Sequence, residues 1–258
     1  MADVRPAELS ATVRETFSIR FPDGAGGDQD SEWCEVQVEG ERRRFRFHDY
    51  HEIYAVPGLY EQLFYDRLEC RSPATVRDLL ATQLEELGHD SSDLRVLDLG
   101  AGNGIMGEEL DDLGVGSIVG VDILGEAGEA AERDRPELYD DYLVADFTKL
   151  SREDAERLAR RRFTCLTSVA ALGFGDIPPL AFANAFDVLE DGAWVAFTIK
   201  DTFLSGDDGS GFAGLVRELV SSGRLELQAG RRYRHRLAVD GTPLFYAALV
   251  GVKQGSPG

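Results

Sequence analysis

The stretch Val96-Leu97-Asp98-Leu99-Gly100-Ala101-Gly102-Asn103-Gly104 constrains this chain more than any other. A short, mostly apolar run leads straight into three alternating glycines, and residues 105–113 follow with helical spacing. Glycine is needed where a backbone must turn sharply or let a ligand approach with no Cβ in the way. Downstream the alternation repeats. Strands are expected at 95–99, 117–121, 142–145, 163–167 and 193–199, with helices around 105–113, 126–133, 152–161 and 180–189. Short apolar strands alternating with helices predict a parallel sheet covered on both faces. After a helix around 211–221, the segments 225–239 and 243–252 flank Asp240-Gly241, residues favoured in a tight hairpin turn. The sheet is therefore expected to end antiparallel.

The first 71 residues follow a different pattern. Residues 1–31 have little periodicity and end in a Gly/Asp-rich loop at 23–31. Period-two alternation over 32–47 predicts a β-hairpin turning at Glu39-Gly40-Glu41, with Phe45 and Phe47 on one face and Arg42, Arg44 and Arg46 on the other. The aromatic stretch that follows reads as a loop and then a short helix from Gly58. Ser72-Pro73 is expected to start a helix, Ser72 as its N-cap and Pro73 at its first position. Val76, Leu79, Leu80, Leu84 and Leu87 share one face of that helix, and Gly88 stops it. The expected organisation is thus a cap at 1–71 and a larger α/β domain at 72–258.

Charge narrows the partners. The 258 residues carry 47 Asp and Glu against 27 Lys and Arg, a net charge of −20. Lys149, Lys200 and Lys253 are the only lysines. So negative a field repels phosphate backbones and anionic lipids, which predicts neither nucleic acid nor a membrane surface as partner. An acid excess with few lysines fits either a GC-rich coding bias or adaptation to high salt. Cys34, Cys70 and Cys165 are odd in number and far apart, which argues against a disulfide framework and a structural zinc site. With no apolar leader in the opening residues and no run of 18 apolar residues, a soluble cytoplasmic protein is expected.

The chemistry is carried by strand ends. Eighteen residues after Gly104, the second strand ends in Gly120-Val121-Asp122, where a carboxylate can accept two hydrogen bonds from a ribose diol. The third ends in Ala145-Asp146-Phe147, a carboxylate and a ring suited to an adenine amino group and its face. Together these residues resemble the class I S-adenosylmethionine-dependent methyltransferases. The glycine stretch matches that family's first motif, two hydrophobic residues, Asp or Glu, a hydrophobic residue and Gly-x-Gly-x-Gly, at every position. The resemblance covers roughly residues 73–253. It implies a Rossmann-like, mostly parallel seven-stranded sheet with helices on both faces and a C-terminal antiparallel hairpin, S-adenosyl-L-methionine as cofactor and S-adenosylhomocysteine as product.

By the same resemblance, Asp98, Gly100, Ala101, Gly102, Gly104 and Ile123 surround the cofactor, with Asp122 at its ribose and Asp146 and Phe147 at its adenine. Thr167, near Ser168 and Val169, is expected beside the methionine moiety, and Tyr54 or Tyr60 at the methionine carboxylate. His48 or His51 could act as general base if the acceptor is a hydroxyl. The two imidazoles, three positions apart, lack a third partner, so no metal site is expected.

A rival reading uses the same turn. Gly102-Asn103-Gly104-Ile105-Met106-Gly107 is a formal GxGxxG, and Asp122 stands about where the ribose-binding carboxylate of an NAD(P)-dependent oxidoreductase would. Asp98 weighs against it, because the strand is normally apolar there and a carboxylate repels pyrophosphate but welcomes a cationic sulfonium and amine. A third reading is a SAM-binding protein without turnover.

No Asn/Asp-Pro-Pro-Tyr/Phe motif or Pro-Cys nucleophile of nucleic-acid methylation occurs; Ile177-Pro178-Pro179 is expected to open a helix. A small-molecule acceptor is therefore predicted, with a protein acceptor as the alternative. Cys165 reads as a small core residue. Two arginine rows, Arg42/Arg44/Arg46 and Arg232/Arg234/Arg236, read as solvated strand faces rather than an anion-binding mouth.

Overall fold

The computed structural model describes residues 16–172, 176–204 and 210–255. Its centre is a sheet of five short strands and a long hairpin: β4 (Arg95–Leu99), β5 (Ser117–Asp122), β6 (Asp141–Val144), β7 (Cys165–Ser168), β8 (Trp194–Lys200), β9 (Leu225–Leu237) and β10 (Pro243–Lys253). An N-terminal three-stranded sheet consists of β1 (Ile19–Arg20), β2 (Trp33–Val38) and β3 (Glu41–Arg46), all antiparallel.

The large sheet has the order β6-β5-β4-β7-β8-β10-β9. The first five strands are parallel, and β10 runs antiparallel between β8 and β9. This is the expected Rossmann-like arrangement. Strands β7 and β8 are almost wholly buried because helices cover both faces. On one face, α3 (Ser72–Leu87) and α4 (Ile105–Asp112) pack Val76, Leu80, Met106 and Leu110 against Val96 and Trp194. Cys165 is buried in that cluster as a core residue. On the other face, α6 (Arg152–Ala159), α7 (Pro179–Asp187) and α8 (Phe212–Ser221) bury Leu158, Phe182, Phe186 and Phe212. Lys253 extends that core inward: its amino group donates to the carbonyls of Phe186, Asp187 and Leu189 at the end of α7.

Three local expectations are corrected. Ser72 is the first residue of α3 rather than its cap; Arg71 takes the cap position, and the Ser72 hydroxyl instead meets Tyr233 at 2.6 Å and His235 at 2.7 Å in a buried network. Leu87, placed on the apolar face by spacing, is 52% exposed because α3 outruns the core at its end. The aromatic stretch holds an additional helix, α1 (Tyr50–Tyr54), before α2 (Leu59–Glu61), which continues as a π-helical turn over Gln62–Arg67. One turn has too little periodicity to read in sequence. Packing on α5 (Gly125–Asp134), where Tyr54 meets Ala127 and Ala130, holds it instead.

The arginine rows divide. Arg42 pairs with Glu35, Arg44 lies over the Trp33 ring, Arg46 pairs with Asp49, Arg232 with Asp201 and Arg234 with Glu69. Arg236 departs from its row. The β9–β10 register shifts between Arg234 and Arg236, leaving His235 as the extra residue of a bulge. Arg236 consequently turns inward, 3% exposed, and pairs with buried Glu32 at 2.5 Å. That pair ties the small sheet to the end of the large one.

Candidate active site

In the large sheet the chain runs outward from β4 through β5 to β6, then returns to β7 on the other side of β4. Ligands of open α/β sheets bind at such a reversal, beyond the carboxyl ends of the strands. The glycine turn lies there. Gly100, Gly102 and Gly104 have φ of +75°, +56° and +91°, which a Cβ would strain. The Gly100 and Ala101 amides both donate to the Val121 carbonyl and pin the turn to β5. A Cβ on Gly100 would come within 2.7 Å of the Ile177 side chain, and one on Gly102 within 2.4 Å of the Tyr54 hydroxyl. The turn is glycine-built because other segments close directly upon it.

A cavity of about 230 Å³ opens beside Gly100. Of the residues expected at the site, Gly100, Asp122, Ile123, Asp146, Phe147, Tyr54, Tyr60, His48 and His51 all line it. Asp122 accepts from the Gly102 amide at 3.1 Å and the Leu124 amide at 3.0 Å, which fix both oxygens at the strand end. Burial pushes its carboxyl upward, and these backbone bonds oppose that. Ile123 leaves 58% of its surface exposed beside it, an apolar platform next to a polar acceptor. Asp146 accepts from the Thr148 hydroxyl and amide, which hold it below the usual carboxylate range, and Phe147 is buried with its carbonyl bonded by Asn184.

Asp98, Ala101, Gly102, Gly104 and Thr167 stand behind the wall and not on it. Asp98 is 1% exposed; Thr167 donates to one oxygen at 2.7 Å and Tyr139 to the other at 3.0 Å. Burial pushes its carboxyl up to about 6 despite both bonds. Gly104 faces Arg135, Leu138 and Tyr139, each about 3 Å from where its Cβ would lie.

The cap forms the roof. Tyr54 and Tyr60 lie 4.9 Å apart between ring centroids, and burial raises both hydroxyls, which stay protonated donors at neutral pH. Beside them, a clamp that sequence reasoning missed joins cap to turn. Arg135 donates to Glu61 at 2.8 Å, to Glu108 at 2.7 Å and to the Asn103 carbonyl, while Asn103 donates to Glu61 and Asp134. Asp176 was also missed: His48 Nδ1 lies 2.9 Å from its carboxylate, and both residues line the cavity. His51, by contrast, is an exposed rim residue. Behind this pair a small chamber of about 30 Å³ is lined by Gln29, Cys70, His235, Arg236 and Tyr246, among others.

A family model described as a methyltransferase domain matches residues 71–236, which span β4 to β9 and the whole glycine turn. The chain belongs to the methyltransferase domain family. Its class I fold recurs in solved structures at low identity. An N-methyltransferase, NodS, from Bradyrhizobium japonicum, solved with S-adenosylhomocysteine, is 12% identical with a TM-score of 0.54, covering 81% of this chain and 98% of that one. A Thermoplasma acidophilum protein is 16% identical at a TM-score of 0.50, covering 78% and 97%. A candidate RNA methyltransferase from Pyrococcus horikoshii is 14% identical at 0.50, covering 72% and 87%. No curated protein matches this methyltransferase by sequence. Among the described residues no helix is long and apolar enough to cross a membrane, and no group of three or more His, Cys, Asp or Glu could hold a metal ion.

Proposed function

We propose that this methyltransferase binds S-adenosylmethionine in the cavity beside Gly100 and transfers its methyl group to a small-molecule acceptor held under the cap. The observation that carries the reading is the Asp122 carboxylate. It is fixed by two backbone amides at the end of β5, beside a glycine turn and an exposed apolar platform. That hydrogen-bond acceptor fits a ribose diol with an adenine on Ile123 and Phe147 and its amino group at Asp146. The protonated Tyr54 and Tyr60 hydroxyls suit the methionine carboxylate. Residues 1–71 would then form a cap that closes over both cofactor and acceptor, and 72–258 the domain that carries the glycine turn.

When bound, the cofactor supplies a methyl group on a good leaving group, so the chain's own work is alignment and exclusion of water. Holding two reactants in line contributes roughly 7–11 kcal/mol to barrier lowering. The aromatic roof of Tyr54 and Tyr60 and the Arg135–Glu61 clamp hold that geometry. The clamp also weighs against a dinucleotide. Pyrophosphate binds at the first helix N-terminus after the glycine turn, yet buried Glu61 stands there, hydrogen-bonded to Asn103 just before α4.

Calorimetry with S-adenosylhomocysteine and with NAD tests this directly. S-adenosylhomocysteine should bind, and Asp122→Ala should weaken it at least about 100-fold, two charge-assisted bonds at about 1.5–3 kcal/mol net each totalling about 3–6 kcal/mol. Binding of NAD alone would overturn the proposal.

A further inference from the structure

We infer that the acceptor is a hydroxyl-bearing ring, a phenol in class, and that His48 takes its proton while Asp176 positions the imidazole. The inference rests on the cofactor reading above and extends it to the other half of the reaction. His48 comes from the loop before α1 and Asp176 from the segment after β7, 128 residues away. They meet at 2.9 Å in the cavity wall. Both side chains are mostly buried, 16% and 24% exposed, so the contact is shielded from solvent on most sides.

The carboxylate fixes the imidazole tautomer. With Asp176 accepting at Nδ1, the proton resides there and Nε2 is the basic nitrogen. Carboxylate–imidazole pairs of this kind make an effective proton acceptor because the charge formed on the ring is stabilised in place. Among the described residues, Tyr50 also faces His48, its ring edge-on at 5.7 Å. Burial and the Asp176 carboxylate push its hydroxyl well up, so it stays neutral and does not compete as the base.

The neighbouring surface selects a ring. Tyr50 and Tyr60 from the cap, and Ile177 and Pro178 following Asp176, line the same cavity with flat and apolar surface. Thiols ionise readily and aryl amines present a lone pair, whereas a hydroxyl is a weak nucleophile until its proton leaves; an alkylammonium also needs a base but has no flat face for these walls. In the step, the acceptor O–H proton passes to His48 Nε2 as the oxygen lone pair attacks the methyl carbon. The O–CH3 bond forms, the S–CH3 bond breaks with its electron pair remaining on sulfur, and the imidazolium proton then leaves to solvent.

The test uses the full chain saturated with S-adenosylhomocysteine and 4-nitrophenol as probe, whose phenolate alone absorbs in the visible. About one pH unit below the pKa of the free phenol, where about a tenth of the free probe is phenolate, the bound probe should show a phenolate fraction at least about twofold higher, because its proton can pass to His48. His48→Gln should still bind S-adenosylhomocysteine and bring the bound phenolate fraction down to the free value or below it, since the remaining wall carries the carboxylates of Asp122, Asp146 and Asp176. Asp176→Asn should fall between, a shift that a merely structural tie would not produce. Failure of S-adenosylhomocysteine to bind the wild-type chain would strike the cofactor reading. Normal cofactor binding with no bound nitrophenol, or with equal phenolate in wild type and His48→Gln, would overturn this inference alone.

Discussion

Asp98 sits beneath the glycine turn with both oxygens occupied by hydroxyls and almost no contact with solvent. Raised from an ordinary 3.8 to about 6, its carboxyl makes the folded protein hold a proton that the unfolded chain has already released. The stability linked to this group is therefore present in full below about pH 4 and is lost as pH rises through about 6, a total of about 3 kcal/mol. Between about pH 5 and about pH 7.5, all above the sequence pI near 4.5, roughly 1.4 kcal/mol of it should disappear. Asp98→Asn keeps the shape but cannot ionise, its amide oxygen accepting from one hydroxyl and its NH2 donating to the other. Urea unfolding followed by tryptophan fluorescence, on both proteins across that range, isolates the effect. Subtracting the variant's profile removes the contributions of Asp122 and Glu109, which burial also raises. The wild type should weaken relative to Asp98→Asn as pH rises. A constant difference would show that Asp98 ionises as it does in the open chain and that the turn does not rest on a desolvated carboxylate.

Two further perturbations probe how the cap is joined to the sheet. Gly102→Ala should cost about 3 kcal/mol, combining a left-handed φ with a clash against Tyr54. Adding Tyr54→Phe should recover about 1–3 kcal/mol of that in denaturant unfolding, and a double variant no better than Gly102→Ala would refute the contact. Arg236→Met should cost about 3–5 kcal/mol by stranding buried Glu32, while Glu32→Gln in the same chain should restore most of it. Thermal unfolding of the two variants reads the difference.

What the sequence made legible was written in consecutive residues. The strand–glycine–helix run, Asp122 and Asp146 at strand ends and the Asp240-Gly241 hairpin each depend on local turn chemistry, and the structure sets them in one sheet. The pairing of His48 with Asp176, the Arg135–Glu61 clamp and the partners of Asp98 were not legible, because each joins segments brought together only by tertiary closure. Ser72 shows the same limit from the other side. Its position before a proline has every local sign of a cap, yet the bulge at His235 presents a buried imidazole that takes the hydroxyl instead. Arg236 left its row for the same reason: one inserted residue in β9 reverses the face that period two assigns.

Charge connects the proposed cofactor site to the proposed acceptor chemistry. The cavity is lined by Asp122, Asp146 and Asp176, and no Lys or Arg is among the described residues on its wall. Such a field favours a donor whose sulfonium and ammonium outweigh its carboxylate, and favours it less once the methyl has left and the sulfur is neutral. Binding the reactant more tightly than the spent cofactor assists turnover. The same field opposes a phenolate, since a second negative charge must form among carboxylates. A base acting at a distance would not overcome that repulsion. An imidazole in the wall becomes positive at the moment the acceptor oxygen becomes negative, so the pair stays neutral within the field. The acidity that attracts the donor is thus the reason a hydroxyl acceptor would need His48 beside it.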